Sequence, residues 1–163
     1  MRKLLFLGLS VIYALATTLC SYTPLETQYI TNEDNYIELD VVVSSAEYHE
    51  DGYSYLYINL TEFSRYRGLT GKNPVNYEQE TLQNTIIEIK IVSKNAELLK
   101  ERGFFDNVKA GDKITIRTTC WLYEDINHHY LAALSFEETT YLTFEEGFDG
   151  VTNDTYTFKK FGN

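Results

Sequence analysis

Two prolines in 163 residues, set against fourteen tyrosines and nine phenylalanines, exclude a disordered, tail-like chain and favour strands. Cations are scarce: fourteen Lys and Arg face 24 Asp and Glu, a formal charge of −10. Such a chain repels phosphate backbones, so nucleic acid is not an expected partner. Cysteine is scarcer still. Cys20 and Cys120 lie a hundred residues apart with no CxxC spacing, which gives neither a redox nor a metal-binding signature. GxSxG and HExxH are both missing, so no nucleophile or zinc-bound base is marked and the chain is not expected to be an enzyme. Gly71-Lys72-Asn73 is no phosphate loop, because Tyr66 stands where the first glycine belongs and no Ser or Thr follows Lys72. Glu145 to Asp154 is acidic but lacks the alternate-position oxygens and twelfth-position Glu of an EF-hand. No cofactor is expected.

What is present begins at the N-terminus. Arg2 and Lys3 precede an apolar run from Leu4 to Ala16, too short to cross a bilayer comfortably but suited to a secretory signal. Ala14-Leu15-Ala16 offers an ordinary cleavage site. Thr17-Thr18-Leu19-Cys20 resembles the box before the lipidated cysteine of bacterial lipoproteins, with Leu19 where that family has a small residue. Two outcomes therefore stay open: Cys20 acylated with Cys120 left as a small buried hydrophobe, or both thiols retained and available to pair. Either way the product is exported, to the cell envelope or beyond it, and meets a membrane only through an anchor at Cys20. Residues 1–19 read as signal, 20–35 as an extension and 36–163 as one domain. The signal removes two cations, so twelve face 24 acids and the formal charge becomes −12.

From Ile37, apolar Ile37, Leu39, Val41 and Val43 alternate with Glu38 and Asp40, the period of a half-buried strand. Glu50-Asp51-Gly52 turns the chain, and Leu56, Ile58 and Leu60 then alternate with Tyr53, Tyr55, Tyr57 and Asn59. This predicts a hairpin with an aliphatic inner and a tyrosine outer face. Residues 63–83 read as a long polar loop. Ile86 to Val92 predicts a third strand, with Ile87, Ile89 and Ile91 on one face and Glu88 and Lys90 on the other. A short helix follows from Ala96 to Arg102, capped by Ser93 or Asn95 and stopped by Gly103. Ile114 to Cys120 and Tyr130 to Phe136 predict a second hairpin around a polar turn at Glu124 to Asn127. Tyr141 to Phe144 and Thr155 to Phe158 read as short terminal strands, separated by a turn-rich stretch with Gly147 and Gly150.

Three strands, a short helix and two more strands are the order of the OB fold. The stretch Phe104-Phe105-Asp106-Asn107-Val108-Lys109-Ala110-Gly111-Asp112-Lys113-Ile114-Thr115-Ile116 resembles the helix-to-fourth-strand passage of OB domains, with its Gly-Asp turn. The resemblance covers residues 36–136. It implies a mainly β chain: an OB-like five-stranded barrel, one short helix between its third and fourth strands, and short C-terminal strands. It further implies ligand binding on the face of the second and third strands and through the loops after the first and fourth.

Candidate binding residues follow from the residue types. Tyr53, Tyr55 and Tyr57 form an aromatic row on a strand that OB folds use for recognition. Arg65, Arg67 and Lys72 concentrate positive charge in the long loop. His49, His128 and His129 sit in solvent-facing turns beside carboxylates, and adjacent histidines on a strand would point to opposite faces, so no metal site is expected. The functional expectation is a non-enzymatic binding module for a saccharide, peptide or protein. A structural or assembly subunit of the envelope, and a hydrolase with an unmarked carboxylate pair, are the alternatives.

Overall fold

The alternation at Ile37 becomes β1 (Ile37–Glu47), whose inward residues Ile37, Leu39, Val41 and Val43 are buried. The computed structural model describes residues 25–61, 65–68, 86–123 and 126–161. β1 shifts register between Val43 and Ser45, so its two halves serve different neighbours. The first half pairs with β5 (Lys113–Tyr123) on one side and β3 (Arg65–Gly68) on the other. The second half turns through Gly52, at φ +87°, into β2 (Ser54–Asn59). The turn is tied from inside, because the fully buried Ser54 Oγ accepts the His49 N–H at 2.9 Å.

β2 pairs along its whole length with β4 (Ile86–Ile91), which buries Ile87, Ile89 and Ile91 and turns Glu88 and Lys90 away from the core. β6 (Ile126–Phe136) is antiparallel to β5 and meets β4 in parallel, Lys90 opposite Tyr130. Five strands therefore form a closed ring, β1-β2-β4-β6-β5-β1, lined by aliphatic side chains. β3 and β7 (Thr139–Leu142) lie outside the ring, on β1 and β6. The chain is mainly β, with six antiparallel pairings among the described strands.

α1 (Leu25–Ile30) and a 3₁₀ turn (Glu33–Asn35) precede β1. α2 (Ser93–Glu101) and α3 (Phe104–Asn107) follow β4, with the break at Gly103, whose φ of +77° favours glycine. The expected helix is thus present, but its cap differs. Val92 occupies the N-cap with no side-chain bond, since Ser93 Oγ donates to Gly52 O and Asn95 is buried inside. The Gly-Asp turn forms as expected: Gly111 takes φ +95°, and Asp112 Oδ2 accepts the Lys109 N–H at 2.7 Å.

Three expectations are corrected. Residues 65–68, read as loop, are the strand β3, because they extend the β2 edge along β1. His129 is no turn residue: the β5–β6 strands run to Tyr123 and from Ile126, so His129 lies within β6 and is only 4% exposed. The largest correction is C-terminal. Of the expected strand at Tyr141 to Phe144 only Tyr141 and Leu142 belong to β7, and Thr155 to Phe158 lie in an 18-residue helix, α4 (Phe144–Phe161).

That helix starts at a reciprocal cap: Thr143 N–H donates to Glu146 Oε2 at 3.1 Å and Glu146 N–H to Thr143 Oγ1 at 3.4 Å. Arg102 then grips the same Glu146 carboxylate with two bonds, at 2.9 and 2.8 Å, and donates to Tyr141 O at 2.8 Å. Arg102 and the Thr143 donors pull the Glu146 carboxyl down to about 2. Lys94 pairs with Asp149 one turn on.

Gly147 and Gly150 are not turn residues. They are where α4 crosses β6 and α2 with no room for a side chain. A Cβ on Gly147 would lie 1.8 Å from Ala132 O, and one on Gly150 would lie 2.0 Å from Asn95 Oδ1. Asn95 fills the junction, its Nδ2 donating to Gly147 O at 2.9 Å and Leu131 O at 3.3 Å. Ile30, Val92, Tyr130 and Val151 make a small second core there.

Candidate ligand-binding face

The outward side of β2 is the tyrosine row, and register fixes its neighbours. Tyr55 stands between Glu47 of β1 and Lys90 of β4, Tyr57 between Ser45 and Glu88, and Asn59 between Val42 and Ile86. Leu56 and Ile58 point into the ring and are fully buried, which leaves Tyr55, Tyr57 and Asn59 half-buried on the outside. Tyr55 and Tyr57 stack with centroids 6.2 Å apart and planes 25° apart, and His49 meets Tyr55 edge-on at 5.8 Å. Ile86, 59% exposed, lies at the Asn59 end of the row.

Charge is partitioned across this face. Desolvation first, then the Glu47 and Glu88 charges, raise the Tyr57 phenol above its ordinary range. Glu47 Oε2 lies 3.6 Å from His49 Nε2. Lys90, although opposite Tyr55 in register, sends its Nζ the other way, 2.8 Å from His128 Nδ1 and 5.6 Å from the Tyr53 ring centroid. An ammonium can only donate, so His128 Nδ1 accepts and its ring proton sits on Nε2. The next residue, His129, is buried, and desolvation with the neighbouring His128 pushes it down to about 4, so it is neutral at pH 7.

The structure divides the residues expected from sequence. Tyr55 and Tyr57 form the pair just described. Tyr53 precedes β2 and packs edge-on against Tyr130 at 6.3 Å, beside the second core, so it supports the face from one end. Arg65 and Arg67 lie elsewhere: they stand opposite Asp40 and Glu38 on the first half of β1. Tyr55 pairs with Glu47 and Arg65 with Asp40, seven residues along the same strand, about 23 Å of extended chain. The tyrosines and arginines are therefore not one site. Glu38 also stands opposite Arg117 of β5. Lys72 and Cys20 lie outside the described residues. Cys120 lies on β5 opposite His129.

Asn59 lies on the outer face as expected, whereas Glu47, Glu88 and Ile86 were missed as members of the binding face. Their signal was available in principle: once Gly52 fixes the β1–β2 turn, counting outward alternates places Glu47 beside Tyr55. The β2–β4 register, set across a long connection, has no such local anchor. Among the described residues no group of three His, Cys, Asp or Glu side chains is placed to hold a metal, and no helix is long and apolar enough to cross a membrane. A cleft of about 180 Å³ opens on the far side of the ring, bordered by Glu38, Arg117, Thr140 and Phe144. It is occupied at one wall by the Arg117 guanidinium, which lies 3.4 Å over the Phe144 ring. Comparison of the chain with protein-family models, curated proteins and solved structures finds no match.

Proposed function

We propose that this chain is an exported, non-enzymatic binding module with an OB-like barrel, and that the outward β2–β4 face is its recognition surface for a peptide or protein. The observation that carries the reading is the Tyr55–Tyr57 stack on the outward face of β2, continued by His49 at one end and exposed Ile86 at the other. Tyrosine with an apolar neighbour and a charged margin is the composition of a protein-binding patch.

Two features support the OB-like reading. One is the ring order β1-β2-β4-β6-β5 with a parallel β4–β6 contact; the other is the position of α2 between β4 and β5. In an OB barrel the second and third strands carry the ligand, and by position these are β2 and β4. Export rests on the basic and apolar pattern of Arg2 to Ala16, and anchoring on Cys20. The −10 charge argues against nucleic acid on this face.

The test is a thermal-shift screen of peptides and saccharides. A true ligand is expected to raise Tm, and Tyr55→Ala to remove most of that rise while leaving the unliganded far-UV spectrum unchanged. Loss of a stacked aromatic at an interface centre corresponds to about 2 kcal/mol of binding, a roughly thirtyfold weaker Kd. A ligand that stabilises wild type and Tyr55→Ala equally places recognition elsewhere.

A further inference from the structure

The Tyr55–Tyr57 pair is bordered by two carboxylates, and the cation nearest in register is turned away from it. Glu47 stands opposite Tyr55 on one side, and Glu88 stands opposite Tyr57 on the other. Lys90 is committed to His128 and Tyr53. The half-exposed pair therefore stands on a surface with negative charge on both sides. Centroids 6.2 Å apart allow one cation centred over the pair to lie within about 6 Å of both. Guanidinium suits this better than ammonium, since it is planar, sheds water more readily and stacks on tyrosine while its edge bonds a carboxylate. The whole chain, at −10, attracts such a group from a distance.

We infer that the pair is a cation-recognition subsite, and that the partner docks an arginine-bearing polypeptide segment there: guanidinium over Tyr55 and Tyr57, bonded at its edge by Glu88 or Glu47. This rests on the reading of the β2–β4 face as the recognition surface, and narrows it to basic partners.

The probe is a fluorescein-labelled Gly-Arg-Gly-Arg-Gly peptide, compared by anisotropy with the same peptide carrying citrulline, which keeps the shape and removes the charge. The arginine peptide is expected to bind at least tenfold more tightly than the citrulline peptide. Glu88→Gln and Tyr57→Leu are each expected to weaken it severalfold, with far-UV spectra unchanged. Glu97→Gln, an exposed acid on α2, is expected to change nothing and serves as the charge-matched control.

Equal binding of the two peptides overturns the cation subsite but leaves the face in use. Equal weakening by Glu97→Gln and Glu88→Gln shows diffuse attraction to an acidic chain and also overturns it. No binding of the arginine peptide, beside a Tyr55-dependent melting shift with some other ligand, removes the cation subsite alone. If light scattering shows a dimer that Tyr57→Leu dissociates, the face is occupied by a second copy and the inference fails.

Discussion

Gly147→Ala is expected to destabilise the protein by about 3 kcal/mol or more, lowering Tm by about 10 °C. A methyl group there meets backbone, not side chain: Ala132 O at 1.8 Å and Ala132 C at 2.4 Å. Neither atom can turn aside, because both are main-chain atoms of β6, where Ala132 sits at the bulge between Leu131 and Ala133, themselves paired with β5. Relief therefore requires α4 to lift from the sheet. That breaks the Asn95 bond to Gly147 O and exposes the small core of Ile30, Val92, Tyr130 and Val151. Alanine's better helix propensity recovers only about 1 kcal/mol. Gly150→Ala is expected to cost less, since its obstacle is the side-chain oxygen of Asn95. Thermal and urea denaturation followed by circular dichroism measure both. A Gly147→Ala variant that melts with wild type contradicts the close packing of α4.

Acid should unfold the protein earlier than its carboxylates alone would cause. His129 is held neutral in the folded state down to about pH 4, whereas an unfolded histidine binds its proton near 6.5. Between those values the unfolded chain carries more protons than the native one, so stability falls as pH falls. The loss attributable to His129 is about 3 kcal/mol between pH 7 and pH 4, with no effect above pH 7. Glu146 acts in a separate window: its folded value of about 2 lies below its ordinary 4.5, so its contribution is complete above pH 4.5 and lost toward pH 2. That pair is over a third exposed and contributes less than about 1 kcal/mol. Urea unfolding from pH 7.5 to 4, alongside NMR titration of the imidazole, reads the effect directly. An imidazole that titrates near 6.5 in the folded protein, or a flat stability profile, contradicts the burial of His129.

Strands were the legible part of the sequence because strict alternation has a single structural reading. Ile37 to Val43, Leu56 to Leu60 and Ile87 to Ile91 each bury the expected face. The C-terminal helix was illegible for a physical reason. Gly147 and Gly150 carry the signature of turns, and Thr155, Tyr156, Thr157 and Phe158 favour strands, yet α4 exists because it packs on β6 and α2. The helix start was nevertheless written in the chain, as Thr143 three residues before Glu146.

The candidate face was half legible. Its tyrosines follow from alternation, but the separation of Tyr53 from Tyr55 depends on Tyr130, 77 positions further along the sequence. The arginines read from sequence as positive charge in a long loop, separate from the tyrosine row. Register places residues 65 and 67 opposite Asp40 and Glu38 on the first half of β1, a pairing that no local pattern in the sequence marks.

The most direct test of the recognition face is amide NMR mapping of any ligand that raises Tm. Perturbations are expected to cluster at residues 45–49, 55–59 and 86–90, with β7 and the start of α4 unchanged. Perturbations centred on Arg117, Thr140 and Phe144, with Tyr55 and Tyr57 silent, would contradict the account and move recognition to the cleft on the other side of the ring.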